Sequence, residues 1–117
     1  MGYRVLLAED DDDLRESLAS ILHSEGFRAR SFKTGGQALA ALRDQQPDVV
    51  LLDLNIRDMD VDEFLRQQAG DPLISMVPVV IITGRAPARV FSSVRSTLRK
   101  PFDVGQFLRA VTGAAPG

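Results

Sequence analysis

A chain of 117 residues is one domain by length, able to bury roughly two thirds of the surface its unfolded form exposes. Hydrophobic and charged fractions of 44% and 26% exclude disordered, collagen-like and coiled-coil chains, and a formal net charge of −2 does not point to a nucleic-acid binder. With no cysteine there is no disulfide framework, thiolate metal site or thiol nucleophile.

The first apolar run, Val5-Leu6-Leu7-Ala8, is too short for a secretory signal core and reads as a strand covered on both faces. Leu6 also stands where a myristoylation motif wants Ser or Thr. Leu14, Leu18, Ile21 and Leu22 then fall at helical spacing, with Asp11 or Asp12 as the cap and Gly26 as the stop. A weaker strand over Arg28 to Phe32 is followed by a helix carrying Ala38, Leu39 and Leu42, capped by Thr34. The run Val49-Val50-Leu51-Leu52 is the third strand, Phe64 and Leu65 mark a third helix, and Val79-Val80-Ile81-Ile82 is the fourth strand. Ser96 to Arg99 is a weak fifth strand, and Val104, Phe107, Leu108 and Val111 form the last helix behind the cap Asp103. Strand and helix alternating five times predict an α/β fold with a parallel sheet covered by helices on both faces. The domain is expected over residues 1–113, with 114–117 a chain end or the start of a linker. No apolar run approaches the roughly 18 residues of a membrane span, so a cytoplasmic protein without membrane contact is expected.

The crossover between Thr83 and Lys100 breaks the regularity. Gly84, Pro87 and Ser92-Ser93 leave room for only a short, poorly capped helix around Ala88 to Val94. No acid occurs between Asp71 and Asp103, while Arg85, Arg89, Arg95, Arg99 and Lys100 make that stretch positive. A solvated arginine-rich crossover and an electropositive docking face for an acidic partner account for it equally well.

In open parallel sheets ligands bind beyond the carboxyl ends of the strands. Here the first strand runs into Glu9-Asp10, the third into Asp53, the fourth into Thr83 and the fifth into Lys100-Pro101. Each residue alone has an ordinary use: the acids from Glu9 to Asp13 as helix-capping charge, Thr83 as a capping hydroxyl, Lys100 as a solvated amine. Three carboxylates on one sheet edge repel, and must either raise their pKa values or bind a cation. All-oxygen ligands favour Mg²⁺. Asp53 is then the candidate nucleophile for a phosphoryl group, Lys100 its charge partner, and Thr83 a hydroxyl donor to a phosphoryl oxygen.

Four segments in order, Leu6-Leu7-Ala8-Glu9-Asp10-Asp11, Val49 to Leu54, Val79 to Gly84 and Leu98-Arg99-Lys100-Pro101-Phe102, resemble the receiver domain of two-component response regulators, the CheY-like superfamily. The resemblance spans nearly the whole chain. It implies a flavodoxin-like doubly wound sheet of order 2-1-3-4-5. It further implies Mg²⁺ held by Glu9, Asp10, Asp53 and the backbone carbonyl of Asn55, and phosphorylation of Asp53 by a sensor histidine kinase or histidine phosphotransfer protein. The output would be regulated binding of a downstream protein target or a second copy of the chain, with no direct nucleic-acid contact. Such a domain is a signalling module, not an enzyme beyond its own phosphorylation and dephosphorylation.

The sequence departs from this pattern in four places. Arg57 stands where the family usually has proline and Val61 where it usually has glycine. Thr97 replaces the aromatic that turns inward on phosphorylation, and the shortened crossover resembles a subgroup with an altered fourth helix. Thr97 and the shortened crossover favour, as the alternative, a phosphorylation-independent adaptor that keeps the fold without the switch. A small aspartyl phosphatase is a third class, but Asn55 replaces the second acid it needs two residues after the nucleophile.

Overall fold

The structure, a computed structural model, describes residues 3–86, 91 and 93–114. Five strands, β1 (Arg4–Ala8), β2 (Arg28–Phe32), β3 (Val49–Asp53), β4 (Val79–Thr83) and β5 (Ser96–Arg99), form one parallel sheet of order β2-β1-β3-β4-β5. Helices α1 (Asp12–Ser24), α2 (Gly35–Asp44), α3 (Val61–Ala69) and α4 (Val104–Ala114) complete the expected doubly wound α/β fold. α4 runs on through buried Ala114, one residue past the expected domain end. Among the described residues no helix is long and apolar enough to cross a membrane.

Side chains alternate across a strand, so the continuous apolar runs split between two cores. Leu6, Ala8, Val50, Leu52 and Ile81 pack with Ala38, Leu39, Leu42 and Phe64 of α2 and α3. Val5, Leu7, Leu51, Val80 and Ile82 pack with Leu18, Leu22, Phe107 and Val111 of α1 and α4. Each fully buried Leu, Ile or Phe contributes about 1.5–3 kcal/mol, which makes the three central strands the rigid part of the sheet. The edge strands β2 and β5 are largely exposed, matching their weaker apolar signal.

The helix ends follow the sequence signals. Asp11 accepts the Leu14 amide at 3.0 Å, and Thr34 the Gln37 amide at 3.1 Å. Asp103 and Gln106 bond each other's backbone N–H groups, a reciprocal capping box. Gly26, at φ +88°, lets the Phe27 amide reach the Leu22 carbonyl and closes α1. Between β4 and β5, the described residues 84–86, 91 and 93–95 hold no helix. The short helix expected around Ala88 to Val94 falls mostly outside the described residues, as does Arg89 of the positive stretch.

One tether was not legible beforehand. Asp58, in the loop after β3, accepts the Gly35 and Gly36 amides at 2.8 Å each, so a carboxylate from that loop holds the N-terminus of α2. The approach is close: a Cβ on Gly35 would lie 2.9 Å from Ile56 Cδ1 and from Met59 Cγ. Asp58→Ala leaves both amides without this partner. Its expected cost is about 1 kcal/mol, a fall of about 4 °C in Tm by calorimetry.

Candidate functional site

The loops following β1, β3, β4 and β5 bring the predicted residues to one edge of the sheet. Asp53 ends the central strand β3 and is fully buried, a costly position for a carboxylate without partners. It has two. The Asn55 amide donates to Oδ1 at 2.7 Å, and the Lys100 ammonium donates to Oδ2 at 2.7 Å. Lys100 is positioned from its own side by its amide, which donates to the Thr83 carbonyl at 2.7 Å next to the cis Lys100–Pro101 bond.

Glu9 is 2% exposed. Its Oε2 accepts the Asp11 amide at 3.2 Å, while Oε1 lies 3.7 Å from Lys100 Nζ and has no hydrogen-bond partner. Burial, then the neighbouring Asp53 carboxylate, pushes Glu9 up to about 8, so near neutral pH it carries a proton. For Asp53, burial pulls upward, but the Glu9 carboxyl, Lys100 and the Asn55 amide together hold it below the ordinary carboxylate value. Burial lowers the Lys100 ammonium, yet the paired carboxylates overcome that and raise it. The trio is therefore a buried carboxylate, a protonated neighbour and an ammonium that holds them together.

Asp10 and Thr83 each have a partner of their own. The three carboxylates do not form one cluster: among the described residues no three acidic or histidine side chains are gathered to hold a metal ion. Glu9 and Asp53 face Lys100, whereas Asp10 Oδ2 pairs with Arg57 Nε at 2.9 Å. Two internal cations thus stand where like charges would otherwise repel. Thr83 is buried, and its hydroxyl is engaged in its own turn, donating to the Arg85 carbonyl at 2.7 Å and accepting the Arg85 amide at 3.2 Å. A cleft of about 450 Å³ between Leu54, Asn55, Thr83, Gly84 and Arg85 opens beside it. Thr97 is exposed on the edge strand, with no ring to turn inward.

Sequence reasoning missed Arg57 as an ion-pair partner, because nothing in the loop pattern says which acid it meets. The residues fit Mg²⁺ by their chemistry: every donor is oxygen, and Glu9 Oε1 is buried without a hydrogen-bond partner.

The family model for the response regulator receiver domain matches residues 5–112. The DNA-binding response regulator MtrA of Mycolicibacterium smegmatis is 40% identical over 88 residues, covering 73% of this chain but 36% of that protein. The chain therefore spans about a third of the length of this curated relative. Protein PilH of Pseudomonas aeruginosa is 27% identical over 119 residues, 97% of this chain and 98% of that protein. A solved structure of the chemotaxis response regulator CheY4 of Vibrio cholerae superposes with a TM-score of 0.88 at 20% identity, over 97% of this chain and 99% of that one, which speaks for the fold alone.

Proposed function

The chain belongs to the response regulator receiver domain family of two-component signalling, and from that premise we propose that it takes a phosphoryl group on Asp53 and thereby changes its affinity for a partner protein. The observation that carries this reading is the Asp53–Lys100 pair at 2.7 Å, at the end of the central strand. The expected donor is a phosphohistidine of a sensor kinase or phosphotransfer protein. A carboxylate oxygen of Asp53 attacks phosphorus, the phosphorus–nitrogen bond breaks, and the electron pair leaves with the imidazole. Lys100 offsets the charge on the transferring group. Glu9, Asp10, Asp53 and the Asn55 carbonyl would hold Mg²⁺, which when bound supplies neutralising charge to the phosphoryl oxygens.

Thr83 gives the expected response. Its hydroxyl serves the phosphoryl oxygen by exchanging the Arg85 carbonyl for it, which releases the turn at 84–86. A cytoplasmic setting follows from the family's usual place in the cell.

With Mg²⁺ and a small phosphodonor, the wild type should be labelled and Asp53→Asn should not; equal labelling of the two sinks the reading. Mg²⁺ must also displace Arg57 from Asp10. The Arg57 side chain is 85% exposed, so this surface pair is weak, and Arg57→Ala should tighten Mg²⁺ binding by only a few fold in calorimetry. An unchanged affinity would place the Arg57 contact outside the ligand set.

A phosphorylation-independent adaptor is the second reading, favoured by the exposed Thr97 in place of a switching ring. Partner affinity that is equal with and without beryllofluoride supports the adaptor, and a difference supports the switch.

A further inference from the structure

Away from Asp53, towards the amino ends of β1 and β2, three exposed arginines share one face of the sheet. Arg4 and Arg28 are paired neighbours at the start of β1 and β2, and Arg30 lies two residues further along β2, beside Leu6. Period-two alternation puts all three on the face that carries Leu6 and Ala8 towards α2. They line a cavity of about 210 Å³ with Leu6, Gln45 and Pro47, the last two from the chain just after α2.

Among the described residues none of these three guanidiniums is in an ion pair; the pairs there use Arg15, Lys33, Arg43, Arg57, Arg66 and Lys100. None of the three guanidiniums makes a hydrogen bond among the described residues; Arg30 makes a cation–π contact over the Phe32 ring at 5.4 Å. Asp48, the nearby acid, uses Oδ2 to accept the Arg4 amide at 2.7 Å. Like charges on adjacent strands cost stability, and at these exposed arginines water screens the cost. An anion in the cavity would remove that repulsion and gain forked, charge-assisted hydrogen bonds from several guanidiniums at once.

We propose that this cavity binds a small phosphate monoester, at a site separate from the phosphoacceptor. Arg4 and Arg28, joined by Arg30 once its guanidinium leaves the Phe32 ring, match the oxygens of a phosphate dianion better than the two of a single carboxylate. Leu6, Pro47 and the arginine methylene stems supply an apolar wall for the carbon part of the ester. The volume, below the usual range for drug-sized ligands, favours a small ester.

The test is an amide NMR titration of the labelled protein, without Mg²⁺, using phenyl phosphate and inorganic phosphate as probes. Phenyl phosphate should give saturable shifts at Arg4, Leu6, Arg28, Arg30 and Gln45, and bind several-fold more tightly than inorganic phosphate. Arg28→Gln and Arg30→Gln should each weaken it about tenfold, while Arg99→Gln, on the far edge strand, leaves it unchanged. Circular dichroism of these exposed-strand variants confirms that the fold is kept. Non-saturable shifts, shifts centred elsewhere, equal loss in Arg99→Gln, or binding only to phosphatidylglycerol vesicles would each overturn the proposal.

Discussion

Lys100→Met should lower stability near neutral pH by about 3 kcal/mol and reduce phosphoryl uptake by about a hundredfold or more. Asp53 is fully buried, and removing the ammonium leaves its charge with the Asn55 amide and the Glu9 carboxyl as remaining partners. Loss of one partner of a buried pair costs about 3–5 kcal/mol; Lys100 keeps 26% of its side chain exposed, so the low end applies. Methionine preserves most of the side-chain volume, which separates the charge effect from a cavity effect. A double-mutant cycle with Asp53→Asn in urea checks the origin. The Lys100→Met penalty should shrink sharply once Asp53 is neutral, with a coupling energy of about 1–3 kcal/mol. Additive effects would show that the ion pair contributes nothing to folding.

The metal-free protein should become less stable as pH rises from 5 to 8, the reverse of what salt-bridged acids give. Glu9 titrates near 8 in the folded protein, against an ordinary value of 4.5. The folded form therefore holds a proton that the unfolded chain has released, and stability is full below about 4.5 and is lost as pH climbs through about 8. The slope is about 1.4 kcal/mol per pH unit for one proton, so the loss across this window is on the order of 3 kcal/mol. Asp53 works in the opposite sense, but its lowered value puts its change below the ordinary 3.8, outside the window. Chemical denaturation in chelator at several pH values should show the decline, and Glu9→Gln should flatten it. Mg²⁺ needs the deprotonated carboxylate, so its affinity should increase with pH over the same range. A wild-type profile as flat as that of Glu9→Gln would mean that Glu9 is already ionised at pH 5.

How much of this was readable in advance varies from residue to residue. The central strands were legible because Val49 to Leu52 and Val79 to Ile82 are buried on both faces, and that leaves an unbroken apolar run in the sequence. Arg28 to Phe32 and Ser96 to Arg99 gave weaker signals because an edge strand keeps exposed side chains and needs no apolar pattern there. Asp53, Thr83 and Lys100 were legible because each ends or directly follows a strand, and strand ends in a parallel sheet share one edge. The Arg57–Asp10 and Asp58–α2 contacts were not, because each joins residues on different loops or elements whose approach no local spacing encodes.

The composition and spacing of this chain by themselves determined the fold class, the order of the elements, several helix caps and the set of residues at the carboxyl edge of the sheet. These depend on local rules, namely alternation, helical period and capping, that act within a few residues. Only the tertiary structure decided how charge is shared among them. It gave Glu9 a proton, Asp53 an ammonium and Asp10 a guanidinium, and it set Arg4, Arg28 and Arg30 on one face with no ion pair among the described residues. Electrostatic energies depend on burial and on distances of a few ångströms between residues far apart in the chain, and no sequence pattern fixes those.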